Sequence, residues 1–272
     1  EKLTAAGAID KTAAAALERN IDVLMECNDI LLQNIADNTA LDCSIKFDLT
    51  ASMRQNAMTS VFMYNFLADL KFIYADIASK AELSVSMVDP VSSDQLDIHA
   101  WIKDGWLYLQ EGEERTKMQI DFEEILETYE YAKQEMNSEV SEVGNIAIPS
   151  YIFSSVTKTE TAEGTQYEFV ISPKFISAVF RLAFGDAPTG SAEDSFVINS
   201  AHISEVILIK DEKVKRASLF VDVDVESSQF EHITGKVDYV INVNAMGKDV
   251  TIDYPDFSDF VEEVTEVPVS LS

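Results

Sequence analysis

The residues of this chain with reactive side chains are three histidines, two cysteines and a large excess of acids. Their spacing assigns them no reaction. His99, His202 and His232 stand alone, with no His-x-x-His or Cys–His pairing of the kind zinc requires. Each reads as a surface or structural residue. Cys27 and Cys43 are too few for a disulfide framework and lack metal-ligand spacing. Both fall on apolar faces, where two buried thiols or one bridge are open, and inert buried thiols are the favoured reading. A Gly-x-Ser-x-Gly nucleophile elbow is absent. Gly247-Lys248 lacks the upstream glycines and the following Ser or Thr of a phosphate loop, and no Gly-x-Gly-x-x-Gly occurs. Asp222, Asp224 and Glu226 alternate with Val221, Val223 and Val225, which places the acids on one strand face roughly 6–7 Å apart. Three carboxylates suit calcium, but no glycine-containing loop gathers these. A solvated sheet face is the better reading. Glu262 and Glu263 are adjacent and show no ligand spacing either. With no nucleophile, base or metal constellation, the sequence predicts a non-enzymatic protein without cofactor or metal.

The charge balance speaks to partners. The chain has 272 residues, 20 Lys+Arg and 48 Asp+Glu, a formal net charge of −28. Such a surface repels phosphate backbones, and no basic stripe offsets it, so no nucleic-acid partner is expected. The stretch 210–216 (Lys-Asp-Glu-Lys-Val-Lys-Arg) is interrupted by acids and sits at a predicted turn. Anionic membrane surfaces are disfavoured for the same reason. No window approaches 18 apolar residues, so no transmembrane helix is predicted. The first residues lack the apolar run of a signal peptide and an initiator Met, which reads as a chain whose leader has been removed. Hydrophobic residues at 47%, with 15 Phe, 9 Tyr and 2 Trp, supply a real core and exclude disorder as the main state.

The elements that must position any site follow from periodicity. Residues 10–38 read as helix, with Ile21, Leu24, Met25, Leu31, Leu32 and Ile35 at helical spacing and a potential break at Asn28-Asp29. Leu41, Cys43, Ile45, Phe47 and Leu49 then alternate with polar residues, a half-buried strand. The stretch 54–67 fits a helix face through Met58, Phe62 and Phe66, and a strand through Phe62, Tyr64 and Phe66. Strands follow around Phe72 and Tyr74, around Leu83, Val85 and Met87, and through Leu96, Ile98, Ala100 and Ile102. Asp104-Gly105 predicts a hairpin into Trp106–Leu109. A strand through Met118, Ile120 and Phe122 leads to a helix at 123–136.

The second half predicts a hairpin at Glu163-Gly164, joining strands at 151–159 and 165–171. A helix opens at Ser172-Pro173 and closes at Gly185. Strands at 203–210, 214–226, 235–246 and 248–254 complete the sheet, with a short last helix at 256–264 and a frayed tail. Tight hairpins without βαβ alternation force antiparallel pairing. The expected class is α+β, a large antiparallel sheet with helices covering one face. Phe175, Phe180 and Phe184 lie on a helix apolar nearly all round, and either fill a core or line a cavity. Trp101 lies on the polar face of its strand, either marking a contact surface or packing under a loop.

Two stretches carry a resemblance: Asp97-Ile-His-Ala-Trp-Ile-Lys-Asp-Gly-Trp-Leu-Tyr-Leu109 with Glu111-Gly-Glu-Glu-Arg-Thr-Lys117, and Val237-Asp-Tyr-Val-Ile-Asn-Val-Asn244 with Lys248-Asp-Val-Thr-Ile-Asp-Tyr-Pro-Asp256. With the N-terminal helix and long amphipathic strands, the chain resembles the LolA/LppX-like bacterial lipoprotein carriers. It resembles most the surface lipoproteins of Gram-positive bacteria within that group. The resemblance spans nearly the whole chain and implies one domain over 1–272, with frayed ends at about 1–9 and 265–272. It implies a curved half-barrel with helices on an apolar concave face that binds a lipid or other hydrophobic small molecule. Phe72, Tyr74, Leu83, Val85, Ile98 and Ile102 would line the wall. The helix at 175–184, through Phe175, Val179, Phe180 and Phe184, would be lid or plug. It further implies an extracytoplasmic protein tethered to the cell membrane by a lipidated N-terminal Cys, here taken as removed with the leader, since no cysteine precedes Cys27. The alternative is a cell-surface module with a solid core that binds a protein or glycan, using Trp101 and the acidic strand faces.

Overall fold

A computed structural model describes residues 11–56, 58–75, 78–88, 94–120, 152–173, 175–176, 196–227 and 231–263. A helix, α1 (Lys11–Asp37), precedes two runs of strands. The first run is β1 (Ala40–Gln55), β2 (Met58–Ile73), β3 (Lys80–Val88), β4 (Gln95–Lys103), β5 (Trp106–Glu111) and β6 (Glu114–Gln119). The second is β7 (Phe153–Thr161), β8 (Gly164–Ile171), β9 (Phe196–Lys210), β10 (Lys213–Ser227) and β11 (His232–Met246), followed by the two-residue β12 (Val261–Glu262).

The strands form a 12-stranded sheet in the order β12-β6-β5-β4-β3-β2-β1-β11-β10-β9-β8-β7. Each run is thus a meander of sequential neighbours, and β11 pairs with β1 to join them. The sheet is open, with β12 and β7 at its edges. Its pairings are antiparallel in both meanders, while β12 runs parallel to β6. No helix among the described residues is long and apolar enough to cross a membrane.

Turn chemistry fixes the registers. Asp104 (φ 52°) and Gly105 (φ 81°) both occupy the left-handed region, the type I′ geometry that matches strand twist. The predicted hairpin is there, with Lys103 opposite Trp106. Asp211 and Glu212 form a second such turn between β9 and β10. Gly164 opens β8 at φ 141°, and a Cβ there would stand 2.3 Å from the Ile209 carbonyl oxygen, so only glycine fits.

Several elements differ from the sequence reading. The Asn28-Asp29 pair does not break α1, which runs through both residues. The ambiguous stretch 54–67 is strand, the end of β1 and the first part of β2. Residues 248–254 are not a strand: Gly247–Asp249 makes a 3-10 turn, Val250 is extended, and the chain beyond it stays outside the ladder until β12. In place of a last helix at 256–264 there is a turn at 258–259 and then β12. The predicted helix at 123–136 and most of the one after Pro173 lie outside the described residues. A helical turn does begin at Pro173, with the Ile176 amide donating to the Ser172 carbonyl at 3.0 Å.

The chain divides into two compact units. One holds α1, β7 to β10 and adjoining parts of β1, β2 and β11. The other holds β3 to β6, β12, the segment 250–260 and the remaining ends of β1, β2 and β11.

Candidate functional site

In the unit built on β3 to β6, strand pairing gathers the apolar positions onto one face. Phe72 lies opposite Ala81, Leu70 opposite Leu83, and Ala68 opposite Val85. Ala81 faces Ile102, Leu83 faces Ala100, Val85 faces Ile98 and Met87 faces Leu96. Leu107 and Leu109 continue the face beside Ile102 and Ala100. Period-two alternation puts these residues together, because side chains of paired residues project to the same side. On β3, β4 and β5 every one of them is half-buried, and none is fully buried.

On the reverse face of the same strands Trp101 is the one buried residue. Trp101, on the polar side of β4, is only 7% exposed, and Phe260 only 5%. The segment 250–260 lies across them. Phe257 stacks on Tyr108 with centroids 3.8 Å apart, and both Phe257 and Phe260 meet the Trp101 ring edge-on at 5.9 and 6.2 Å. The Tyr254 hydroxyl donates to the Ile102 carbonyl oxygen at 2.9 Å, and burial pushes that phenol up to about 12. Lys103 sits 5.0 Å from the Tyr254 ring, where a cation and an aromatic face attract. Trp101 therefore packs under a chain segment and is no contact surface. His99 is likewise structural, bonded to the Ser84 hydroxyl at 2.8 Å and stacked on Trp101.

The structure brings five of the sequence-predicted wall residues together: Phe72, Leu83, Val85, Ile98 and Ile102. Tyr74 falls beyond the end of β2, 45% exposed, its amide donating to the Thr39 carbonyl oxygen at 2.7 Å. Phe175 is half-buried and belongs to the other unit. Val179, Phe180 and Phe184 lie outside the described residues.

In the unit built on β7 to β10, α1 is pinned by polar contacts. Glu26 accepts from the Tyr167 hydroxyl at 2.8 Å and from Lys158 at 2.7 Å. Those two bonds hold the Glu26 carboxyl below its usual range, while burial and the carboxylate push the Tyr167 phenol up. One turn from its end, Asn34 donates to the Ile30 and Glu212 carbonyl oxygens, both at 2.8 Å, and accepts from the Val214 amide at 3.2 Å. Asn34 is 7% exposed and holds the β9–β10 turn. Cys27 and Cys43 are free and buried, and burial pushes the Cys27 thiol up to about 11. Neither is a reactive thiolate.

Beneath α1 the sheet face carries Tyr167, Phe169 and Ile207, each at most 3% exposed. Glu205 stands on that face opposite Phe169 of β8 and Leu219 of β10. Sequence reasoning missed it. The signal was a broken alternation: positions 203, 205, 207 and 209 read Ile, Glu, Ile, Ile. Glu205 reaches water, yet desolvation by its surroundings raises its carboxyl above the usual value.

The acids of β10 are engaged on the opposite face. Asp222 pairs with Lys236 at 3.0 Å, and Asp224 bonds His232 at 2.8 Å and Asn199 at 2.9 Å, which holds the Asp224 carboxyl low. Among the described residues, no group of three His, Cys, Asp or Glu is placed to hold a metal ion.

No family model matches the chain, and no curated protein does. Among solved structures it is similar to LprF from Mycobacterium bovis, at 12% identity and TM-score 0.32, covering 85% of this chain and 97% of that one. A LolA superfamily protein from Nitrosomonas europaea is similar at 8% identity and TM-score 0.20, covering 84% and 94%. A DUF1329 family protein from Desulfovibrio piger is similar at 8% identity and TM-score 0.21, covering 90% and 98%. The group to which the sequence resemblance pointed is thus among the solved folds the chain resembles. At these TM-scores the similarities carry no argument about what the chain binds.

Proposed function

We propose that this chain is a non-enzymatic, extracytoplasmic lipoprotein domain that holds an acyl chain or other hydrophobic small molecule against its apolar sheet face. The observation that carries the reading is the incomplete burial of the apolar face on β3 to β5. On their polar face Trp101 is buried under the aromatic segment 250–260, while Leu83, Val85, Ile98 and Ile102 on the apolar face are only half-buried. A solid-core module would bury the apolar face first. A half-open one is a surface that an aliphatic ligand completes, gaining about 0.8 kcal/mol per buried CH₂ with no polar motif required.

On this reading the chain is one functional domain over 1–272, its sheet curves as a half-barrel, and Phe72, Leu83, Val85, Ile98 and Ile102 form the wall. Tyr74 stands at the rim. On this reading the protein is anchored to the membrane through a lipidated cysteine. The rival reading, a solid-cored surface module, loses one of its carriers, since Trp101 is buried.

Native mass spectrometry of the purified protein, followed by organic extraction, tests the proposal. The expected result is a stoichiometric lipid or fatty acid, retained by the wild type and lost from Val85→Asp with circular dichroism unchanged. A clean unliganded mass that persists after incubation with mixed lipids overturns it. Should Val85→Asp fail to fold, Ile98→Asn replaces it.

A further inference from the structure

A sheet edge is a row of backbone donors and acceptors that water or another strand must satisfy. Among the described residues β7 is the last strand of the sheet, paired with β8 on one side only. Residues across an antiparallel ladder alternate between hydrogen-bonded and non-bonded pairs, and the two-residue turn at 162–163 makes Thr161–Gly164 a bonded pair. Thr157, Thr159 and Thr161 therefore direct their backbone groups to β8, while Val156, Lys158 and Glu160 direct theirs to the open edge. The β9–β10 turn gives the same parity, because bonding Lys210 to Lys213 leaves Ile209 bonded to Thr165 of β8. Natural edges are blunted by proline, by bulges or by a charge that projects past the strand. From Val156 to Thr161 β7 has no proline and no register shift, and residues 157–161 are exposed throughout. Its lysine is drawn back over the sheet: Lys158 donates to Glu26 at 2.7 Å and lies 5.8 Å from the Tyr167 ring centre.

Charge decides what this edge accepts. Two copies related by a two-fold axis pair such edges antiparallel, and only residues that both turn outward form bonded pairs. Centred on Lys158, the pairing opposes Lys158 to itself; centred on Glu160, it opposes Glu160 to itself. Like charges directly opposite destabilise a ladder. Centred on Thr157, it sets Lys158 against Val156. Centred on Thr159, it sets Lys158 of each copy against Glu160 of the other, with Thr159 meeting Thr159 on the axis. We propose that β7 pairs with β7 of a second copy in the register centred on Thr159, so that Lys158 of each copy bridges its own Glu26 and the other's Glu160. An ammonium has three donors and a carboxylate about four acceptor sites, so the Glu26–Lys158 bond and the Thr165–Glu160 bond at 3.0 Å both persist. The pairing is independent of what the sheet binds.

The contact is short and the net charge of −28 on each copy opposes it, so the test is sedimentation velocity of the full chain in about 0.15 M NaCl, where that repulsion is screened. Between about 10 and about 500 μM, the range in which a small interface assembles, the wild type should pass from monomer to dimer. Lys158→Glu and Glu160→Lys should each stay monomeric, since each sets like charges opposite. An equimolar mixture of the two should dimerise, because every Glu then meets a Lys. Thr159→Cys should cross-link to a dimer on mild oxidation, its Cα standing about 4.5 Å from its counterpart across a non-bonded pair, within disulfide reach. Cys27 and Cys43 are buried and add no cross-link of their own. Should a charge variant fail to fold by circular dichroism, the cysteine decides alone. A wild type that stays monomeric without cross-linking overturns the proposal. So does a mixture of folded charge variants that stays monomeric, or a cross-link through Thr157→Cys in place of Thr159→Cys.

Discussion

Glu26 is a half-exposed carboxylate with two partners of different depth: Lys158 near the surface, and Tyr167, only 2% exposed. The Lys158 pair is open to water, and pairs of that kind are worth about 0–1 kcal/mol. The Tyr167 hydroxyl has no solvent to replace its acceptor, so its bond is the larger contributor. Tyr167→Phe should therefore lower the unfolding free energy by about 1.5 kcal/mol, read as a shift in urea midpoint. The pH dependence has a definite sign. The folded Glu26 carboxyl lies below its ordinary 4.5, so its stabilisation is present above that value and fades as pH falls through the depressed folded one. Between about pH 5 and about pH 3 the urea midpoint of the wild type should fall further than that of Glu26→Gln. Parallel curves for the two proteins would show that α1 is held by apolar packing and Asn34 alone.

At the scale of elements, the segment 250–260 matters more to the fold than its sequence suggests. Val250, Ile252 and Tyr254 alternate with polar residues and so read as a strand, but alternation reports only which side chains want burial. It does not report whether the backbone finds a ladder. Here Phe260 is buried and Tyr254 half-buried against β4 and β5, and the backbone joins the sheet at β12. The same limit hid Asn34 and Glu26, whose partners lie in β7 to β10, far along the chain. What was legible was local: the Asp104-Gly105 and Glu163-Gly164 turns, and the apolar set of Leu83, Val85, Ile98 and Ile102, whose meeting on one face follows from strand alternation and a hairpin order. The burial contrast yields a prediction. Phe260→Ala should cost about 3–5 kcal/mol, the usual range for emptying a buried aromatic site. Met58 and Met63 in β2 are 73% and 61% exposed, and Met58→Ser or Met63→Ser should change stability by less than about 0.5 kcal/mol. Thermal denaturation of the three variants checks the order, and a Met63 variant as costly as Phe260→Ala would mean that the outer face of β2 is covered in solution.

For the whole molecule, the governing quantity is a net charge of −28 spread over 272 residues. Two opposed salt effects follow. Exposed pairs such as Arg54–Glu231 and Lys236–Asp222 are weakened by screening, each by a fraction of the roughly 0–1 kcal/mol such pairs supply. Repulsion among the surplus acids is weakened as well, and it acts between many more charges than the few basic residues can pair. At about 0.01 M salt the Debye length is about 30 Å, so repulsion reaches across the fold; at 0.15 M it is about 8 Å and only neighbours interact. The repulsive term should win, and the melting temperature should rise as NaCl goes from about 0.01 M to about 0.15 M. The same field acts on a ligand's head group before any contact forms. Hexadecanoic acid should bind more tightly as salt rises and hexadecylamine less tightly, while hexadecanol should be indifferent. A melting temperature that falls with added NaCl would place the exposed ion pairs, rather than the excess of acids, in control of stability.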